Sequence, residues 1–212
     1  MFTGLISDVG TVDAHAVTPA GGRFTIRSAY HAATIAVGAS IAHDGCCLTA
    51  LNPRPGPGGG SLFEVDVSNE TLNHTTLGGW TLGRRINLER SLKAGDELGG
   101  HLVAGHVDGV AVITAVVKDG DSTRYTFAVP QSANQMALHR MIAPKGSVAL
   151  DGTSLTINEV ADLAGGGATF GVNIIPHTQA VTTWGQRHAG DRVNLEVDVL
   201  ARYVARLIDT RR

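Results

Sequence analysis

The chain has 212 residues, 17 of them basic and 19 acidic, for a formal net charge of -2 at pH 7. That length supports one large or two small hydrophobic cores, and the near-neutral balance gives no electrostatic reason to expect nucleic acid or an anionic membrane as partner. No uninterrupted run of about 20 apolar residues is present to span a bilayer, and the only two cysteines are adjacent, which is no disulfide framework and fits a reducing compartment.

Met1 leads directly into Phe2-Thr3-Gly4-Leu5-Ile6, without the basic and apolar regions of an export signal, so a soluble cytoplasmic protein is expected. Phe24 and Ile26 then alternate with Thr25 and Arg27, the period of two that a strand with one buried face requires. Asp44-Gly45 is a turn signal, because glycine tolerates positive φ and aspartate bonds nearby backbone donors. His43 beside it is as readily structural as functional.

Cys46 and Cys47 follow the turn. Successive strand side chains point to opposite faces, so one metal ion cannot readily take both thiolates. The spacing also lacks the two intervening residues of zinc and thioredoxin-like sites. The expected division is one buried small hydrophobe and one pocket-lining thiol, with Cys47 the pocket candidate. Pro53 through Gly60 is rich in proline and glycine and is expected in a loop. Ile86 and Leu88 alternate with Arg85, Asn87 and Glu89 as another strand.

His101 and His106 flank Leu102-Val103-Ala104-Gly105. Their spacing of five does not place them on one strand face; one could bind ligand or support proton transfer while the other satisfies a turn. Further on, Lys145, Asp151 and Ser154 bring an amine, a carboxylate and a hydroxyl close in sequence, a set able to bind a polar heterocycle and manage protons. The G-x-S-x-G context of a hydrolase elbow is missing, and on the residues alone ordinary turn chemistry accounts for them better. Ala164 through Gly167 is a second glycine-rich loop. Leu195, Val197 and Val199 then share a strand face, after which Leu200, Val204, Leu207 and Ile208 recur at helical spacing. A lone helix of roughly two or three turns is marginal unless its stripe is packed, so it either caps its own barrel or joins neighbouring chains.

Two halves of the chain lie over one another. At an offset of 101, Gly4-Leu5-Ile6-Ser7-Asp8-Val9 faces Gly105-His106-Val107-Asp108-Gly109-Val110, and Phe24-Thr25-Ile26 faces Tyr125-Thr126-Phe127. At an offset of 107, Ser40 through Thr49 lies over Ser147 through Thr156, Thr75-Thr76-Leu77-Gly78 over Thr182-Thr183-Trp184-Gly185, and Gly83 through Glu89 over Gly190 through Glu196. The change from 101 to 107 implies a six-residue insertion in the second copy around residues 131–144. Cys46/Thr153, Cys47/Ser154 and Glu70/His177 are the telling mismatches. Short strands with glycine turns and no G-x-x-x-x-G-K signature favour barrels over a nucleotide-binding α/β fold. The expected architecture is all-β: tandem, closed six-stranded Greek-key barrels over residues 1–97 and 98–199, with a C-terminal helix and tail over 200–212.

Met1-Phe2-Thr3-Gly4-Leu5-Ile6, His43-Asp44-Gly45-Cys46-Cys47-Leu48-Thr49, Gly99 through Gly109 and Leu150-Asp151-Gly152-Thr153-Ser154-Leu155-Thr156 together closely resemble the riboflavin synthase α-chain family. Glu70-Thr71, Thr75 through Gly78, and Ile175-Pro176-His177-Thr178 followed by Thr182-Thr183 extend the resemblance over essentially the whole chain; Pro53–Gly60 is an unusual insertion.

The resemblance implies a dismutation of two 6,7-dimethyl-8-ribityllumazine molecules to riboflavin and 5-amino-6-ribitylaminouracil, without metal, flavin or nicotinamide as a required cofactor. It implies a homotrimer joined by C-terminal helices, with sites between the N-terminal barrel of one subunit and the C-terminal barrel of another. It also raises association with lumazine synthase. By resemblance Cys47, His106, Ser154, Asp151, Lys145 and Asp198 carry catalysis. Phe2, Gly4, Thr49, Thr71, Val103, Thr156, Ile175 and Thr178 carry substrate binding. An orienting and proton-transfer network is expected around Ser154 and His106. Three other classes are weighed against this one: a β-barrel flavin oxidoreductase, which would need an electron donor, a non-catalytic lumazine- or flavin-binding protein on the same duplicated barrel, and a purely structural trimer, which would leave the motif resemblance without a reason.

Overall fold

In the computed structural model, which describes residues 1–130 and 137–210, the alternating segments form antiparallel strands in two successive modules. The first module runs β1 (Asp8–Thr18), β2 (Gly21–Ser28), β3 (Ser40–His43), β4 (Cys46–Thr49), β5 (Leu51–Pro55), β6 (Ser61–Ser68), helix α1 (Asn69–His74) and β7 (Arg85–Arg90). The second repeats it as β8 (Gly109–Asp119), β9 (Ser122–Pro130), β10 (Ser147–Leu150), β11 (Thr153–Asp162), β12 (Gly167–Ile174), α2 (Pro176–Val181) and β13 (Arg192–Val197). Helix α3 (Val199–Asp209) has no counterpart in the first module. The insertion expected around 131–144 falls partly on residues 131–136, outside the described residues.

The second module is the expected closed six-stranded barrel, in the order β10-β11-β12-β9-β8-β13. The first is not closed, which corrects the expectation of two closed barrels: it is an open seven-stranded sheet, β4-β3-β7-β1-β2-β6-β5. The cause is local. The ten-residue β11 pairs with β10 through its first half and with β12 through its second. Its counterpart is cut into β4 and β5 at Ala50, and β5 then loses register where Asn52 turns left-handed (φ 48°) and Pro53 has no N–H to donate. Pro53–Pro55, expected in a loop, therefore belong to an edge strand, the place where a sheet tolerates proline.

Each module has its own core. Phe24, Ile26, Phe63, Val65, Ile86 and Leu88 fill the first, and Phe127, Phe170, Trp184, Ile113, Val193 and Leu195 the second. Asp198 caps α3, its carboxylate accepting the Leu200 N–H at 2.9 Å, and Arg202 ties the helix to Asp108 at 2.6 Å. Ala201 and Ala205 pack on the second core. Val199, expected on the last strand, is the first residue of the helix.

The modules meet through reciprocal bonds that follow the duplication. Asn87 Nδ2 donates to the Asp151 carbonyl at 2.9 Å, and Asn194 Nδ2 donates to the Asp44 carbonyl at 2.8 Å. The two turns touch at Gly45 and Gly152, where a Cβ on either would stand 2.8 Å from the other's backbone nitrogen. Glycine is required there by close approach as well as by positive φ.

Candidate active site

Strands β4 and β11 sort the duplicated turn residues by face. Cys46 and Leu48 point into the first core, leaving Cys47 partly exposed and Thr49 exposed on the outer face. Burial pushes the Cys46 thiol up to about 12, which removes it as a thiolate nucleophile at neutral pH. On β11 the same alternation turns Ser154 and Thr156 outward. Of the expected division of the cysteines, the structure bears out the burial: Cys46 is buried and Cys47 is partly exposed.

The first residues of each module lie across these strands. Phe2 is fully buried and bridges Val103: its N–H donates to the Val103 carbonyl at 2.8 Å, and the Val103 N–H returns a bond of 3.1 Å. With Ala42 and Ala149, and Cys47 packed against them, they form a third apolar cluster. The arrangement is crossed. The Ser154 N–H donates to the Gly4 carbonyl and the Cys47 N–H to the Gly105 carbonyl, both at 2.8 Å, so each module's leading segment seats on the other module's candidate residue.

Two carboxylates hold those segments. Glu89 accepts the backbone N–H groups of Thr3 at 2.7 Å and Gly4 at 2.9 Å. Glu196 accepts those of Ala104, Gly105 and His106 at 2.6, 2.9 and 2.9 Å. Burial outweighs the backbone donors, holding Glu89 above the usual carboxylate range and raising Glu196 to about 7. Their matched positions were visible in sequence, but their anchoring role was not, because it depends on which segment crosses over which strand.

His101 is the imidazole brought to Ser154, with Nδ1 2.7 Å from Oγ. Its burial lowers its pKa, partly countered by the nearby Asp198 carboxylate, so the neutral ring is favoured and can exchange a proton with the hydroxyl. His106 has an exposed side chain, and its placement comes from the backbone bond to Glu196. The two histidines were indistinguishable by spacing.

The remaining candidates are spread more widely. Asp151 is fully buried and pairs with Arg187 while accepting the Asn194 N–H at 2.8 Å, the position of a seam anchor. Lys145 is exposed, in a left-handed turn (φ 67°), and its backbone N–H bonds the Ile157 carbonyl at 2.7 Å. Thr71 and Thr178 belong to the short helices, and Ile175 caps the second of them, rather than lying on β4 or β11. Thr71 Oγ1 lies 3.0 Å from Ser68 Oγ, the Thr178 carbonyl accepts the Thr182 hydroxyl at 2.6 Å, and Ile175 precedes α2 with its side chain exposed. Among the described residues, no group of three His, Cys, Asp or Glu side chains is placed to hold a metal ion.

The lumazine binding domain family matches the chain twice, over residues 3–91 and 104–198. A riboflavin synthase of Brucella abortus is 50% identical over 207 residues, spanning 98% of each chain. The chain belongs to the riboflavin synthase family. The riboflavin synthase of Mycobacterium tuberculosis is 39% identical over 208 residues, again spanning 98% of both chains. That of Bacillus subtilis is 33% identical over 98% of this chain and 90% of its own. Among solved structures, LumP complexed with riboflavin superposes with a TM-score of 0.75 at 22% identity, covering 93% of this chain and 99% of LumP. That likeness shows that the chain shares LumP's fold.

Proposed function

We propose that the chain is a riboflavin synthase, catalysing dismutation of two 6,7-dimethyl-8-ribityllumazine molecules to riboflavin and 5-amino-6-ribitylaminouracil by transfer of a four-carbon unit. The observation that carries this reading is the pair of unequal, crossed sites built on matched strands. Two similar surfaces suit two copies of one substrate, and holding both in register removes much of the entropic cost of a bimolecular step. Donor and acceptor need different proton handling, and the modules differ accordingly. Ser154 has the His101 imidazole at 2.7 Å. On the first module the place matched to Ser154, at the offset of 107, is held by the thiol of Cys47 instead.

In this reading Ser154 and His101 form the proton-handling pair of the second module. Cys47 and Thr49 face the ligand on the first module, Thr156 takes the matching place on the second, and the Phe2–Val103 bridge supplies an apolar floor. The reacting pair of substrates sits between the first module of one subunit and the second module of another, in a cytoplasmic homotrimer. Support for the trimer comes from α3, which leaves Leu200, Tyr203, Val204 and Leu207 between 55% and 66% exposed on an otherwise amphipathic helix. No helix of the described residues is long and apolar enough to cross a membrane. The test is to supply the purified chain with the lumazine alone. Riboflavin formation supports the enzyme, and tight binding without product would return the chain to the class of lumazine-binding proteins.

A further inference from the structure

A cleft of about 670 Å³ runs along the seam between the modules, away from Cys47 and Ser154. Thr76 and Arg84 of the first module and Arg187, Asp191 and Arg192 of the second stand in its walls. Three guanidiniums thus face one carboxylate, and one oxygen of that carboxylate is occupied by the His188 backbone N–H at 2.9 Å. Among the described residues, Arg84 and Arg192 have no ion-pair partner.

The buried polar atoms of the walls are also under-used. Arg187 pairs with Asp151 through one terminal nitrogen, yet its side chain is only 6% exposed and its Nε has no partner. Arg84 Nε and Thr76 Oγ1 are likewise buried without one. Asp44 and Asp151, behind the wall, balance part of the charge of Arg84 and Arg187. What the cleft itself presents is mostly donors. Taking a guanidinium out of water is costly, and the matched position in the first module holds Trp80 instead, packed in the core. Arg187 is therefore a departure from the duplicated pattern that only the second module carries.

We propose that this cleft binds a phosphate oxyanion, free or as a phosphate monoester, held between Arg84 of the first module and Arg187 and Arg192 of the second. Planar guanidinium forks match the several acceptor oxygens of phosphate, and the volume leaves room for the organic part of a monoester. Because its ligands come from both modules, the bound anion clamps the seam.

The experiment is thermal unfolding of the full chain in inorganic phosphate at about 10 mM against sodium chloride of equal ionic strength, repeated with glycerol 3-phosphate. An anion that binds only the folded state raises the midpoint, here by about 3–6 °C. The gain should fall by at least half in Arg84→Gln and in Arg192→Gln. It should persist in Arg85→Gln, the matched exposed arginine outside the cleft. A gain with phosphate alone identifies the free anion, and one with both identifies the monoester as an acceptable ligand. No gain over chloride, or the same gain in all the variants, overturns the proposal.

Discussion

His101 Nδ1 lies 2.7 Å from Ser154 Oγ, joining the linker between modules to the second barrel's outward-facing strand. The bond singles out His101 by geometry rather than by its place in a motif. If this pair handles protons, His101→Gln and Ser154→Ala each lower kcat by about 10- to 100-fold, at the modest end for general acid–base groups. Because burial holds the His101 pKa below its ordinary value, the pair stays competent as pH falls past the usual histidine range, and the acid limb of the rate profile lies below about pH 6.5. Steady-state rates between pH 5 and 8 check this. A larger loss in His106→Gln than in His101→Gln would assign the imidazole differently.

The crossed segments give a stability test. Gly4 and Gly105 have φ of 77° and 78°, and a Cβ would stand 2.5 Å from Ser154 Cβ or 2.6 Å from Cys47 Cβ. Alanine at either position meets both backbone strain and a clash, and is expected to cost about 2–4 kcal/mol in urea unfolding. Gly95 also has positive φ (95°) but open space around it, so Gly95→Ala should cost only about 1 kcal/mol. Equal losses at all three positions would mean that the crossing contributes nothing specific.

His43 separates the modules by pH. It is fully buried, its Nδ1 2.9 Å from the Ile41 carbonyl, and burial lowers its pKa to about 4, whereas Leu150 occupies the matched place. An unfolded histidine takes up its proton near pH 6.5, before the folded one does, so the folded state loses stability as pH falls from about 6.5 toward 4. The stability of His43→Leu relative to the parent should therefore improve by about 2 kcal/mol between pH 7 and pH 4.5. The raised pKa of Asp44 and of Glu196 acts in the opposite sense, but is shared by both proteins and cancels in the difference. A difference that does not change with pH would contradict the buried neutral ring.

Much of this was legible in the chain, because duplicated turns impose the same backbone demands twice. Asp44 and Asp151 share left-handed φ (44° and 42°), as do Gly45 and Gly152 (81° and 77°). The period-two strands and the final helix were readable for the same local reasons. The opening of the first sheet was not, although Asn52-Pro53 carried the signal: it shows only when β11 is seen to run unbroken. The His101–Ser154 bond and the Glu89 and Glu196 anchors join residues 53 to 92 positions apart, which no local pattern encodes.

The proposed cross-subunit site makes a mixing test possible. If Cys47 and Ser154 serve opposite halves of that site, Cys47→Ala and Ser154→Ala assemblies are each expected to be nearly inactive alone. Co-assembled in equal amounts, about a quarter of head-to-tail interfaces pair two intact modules, and activity should return to roughly that fraction. If each site lay within one subunit, mixing would restore nothing.

The most direct measurement of the central claim is the product ratio. The chain is incubated with 6,7-dimethyl-8-ribityllumazine under anaerobic conditions, and substrate, riboflavin and 5-amino-6-ribitylaminouracil are quantified together. Dismutation gives one molecule of each product for every two substrates consumed. Riboflavin formed without the aminouracil, or substrate bound and left unchanged, would contradict it.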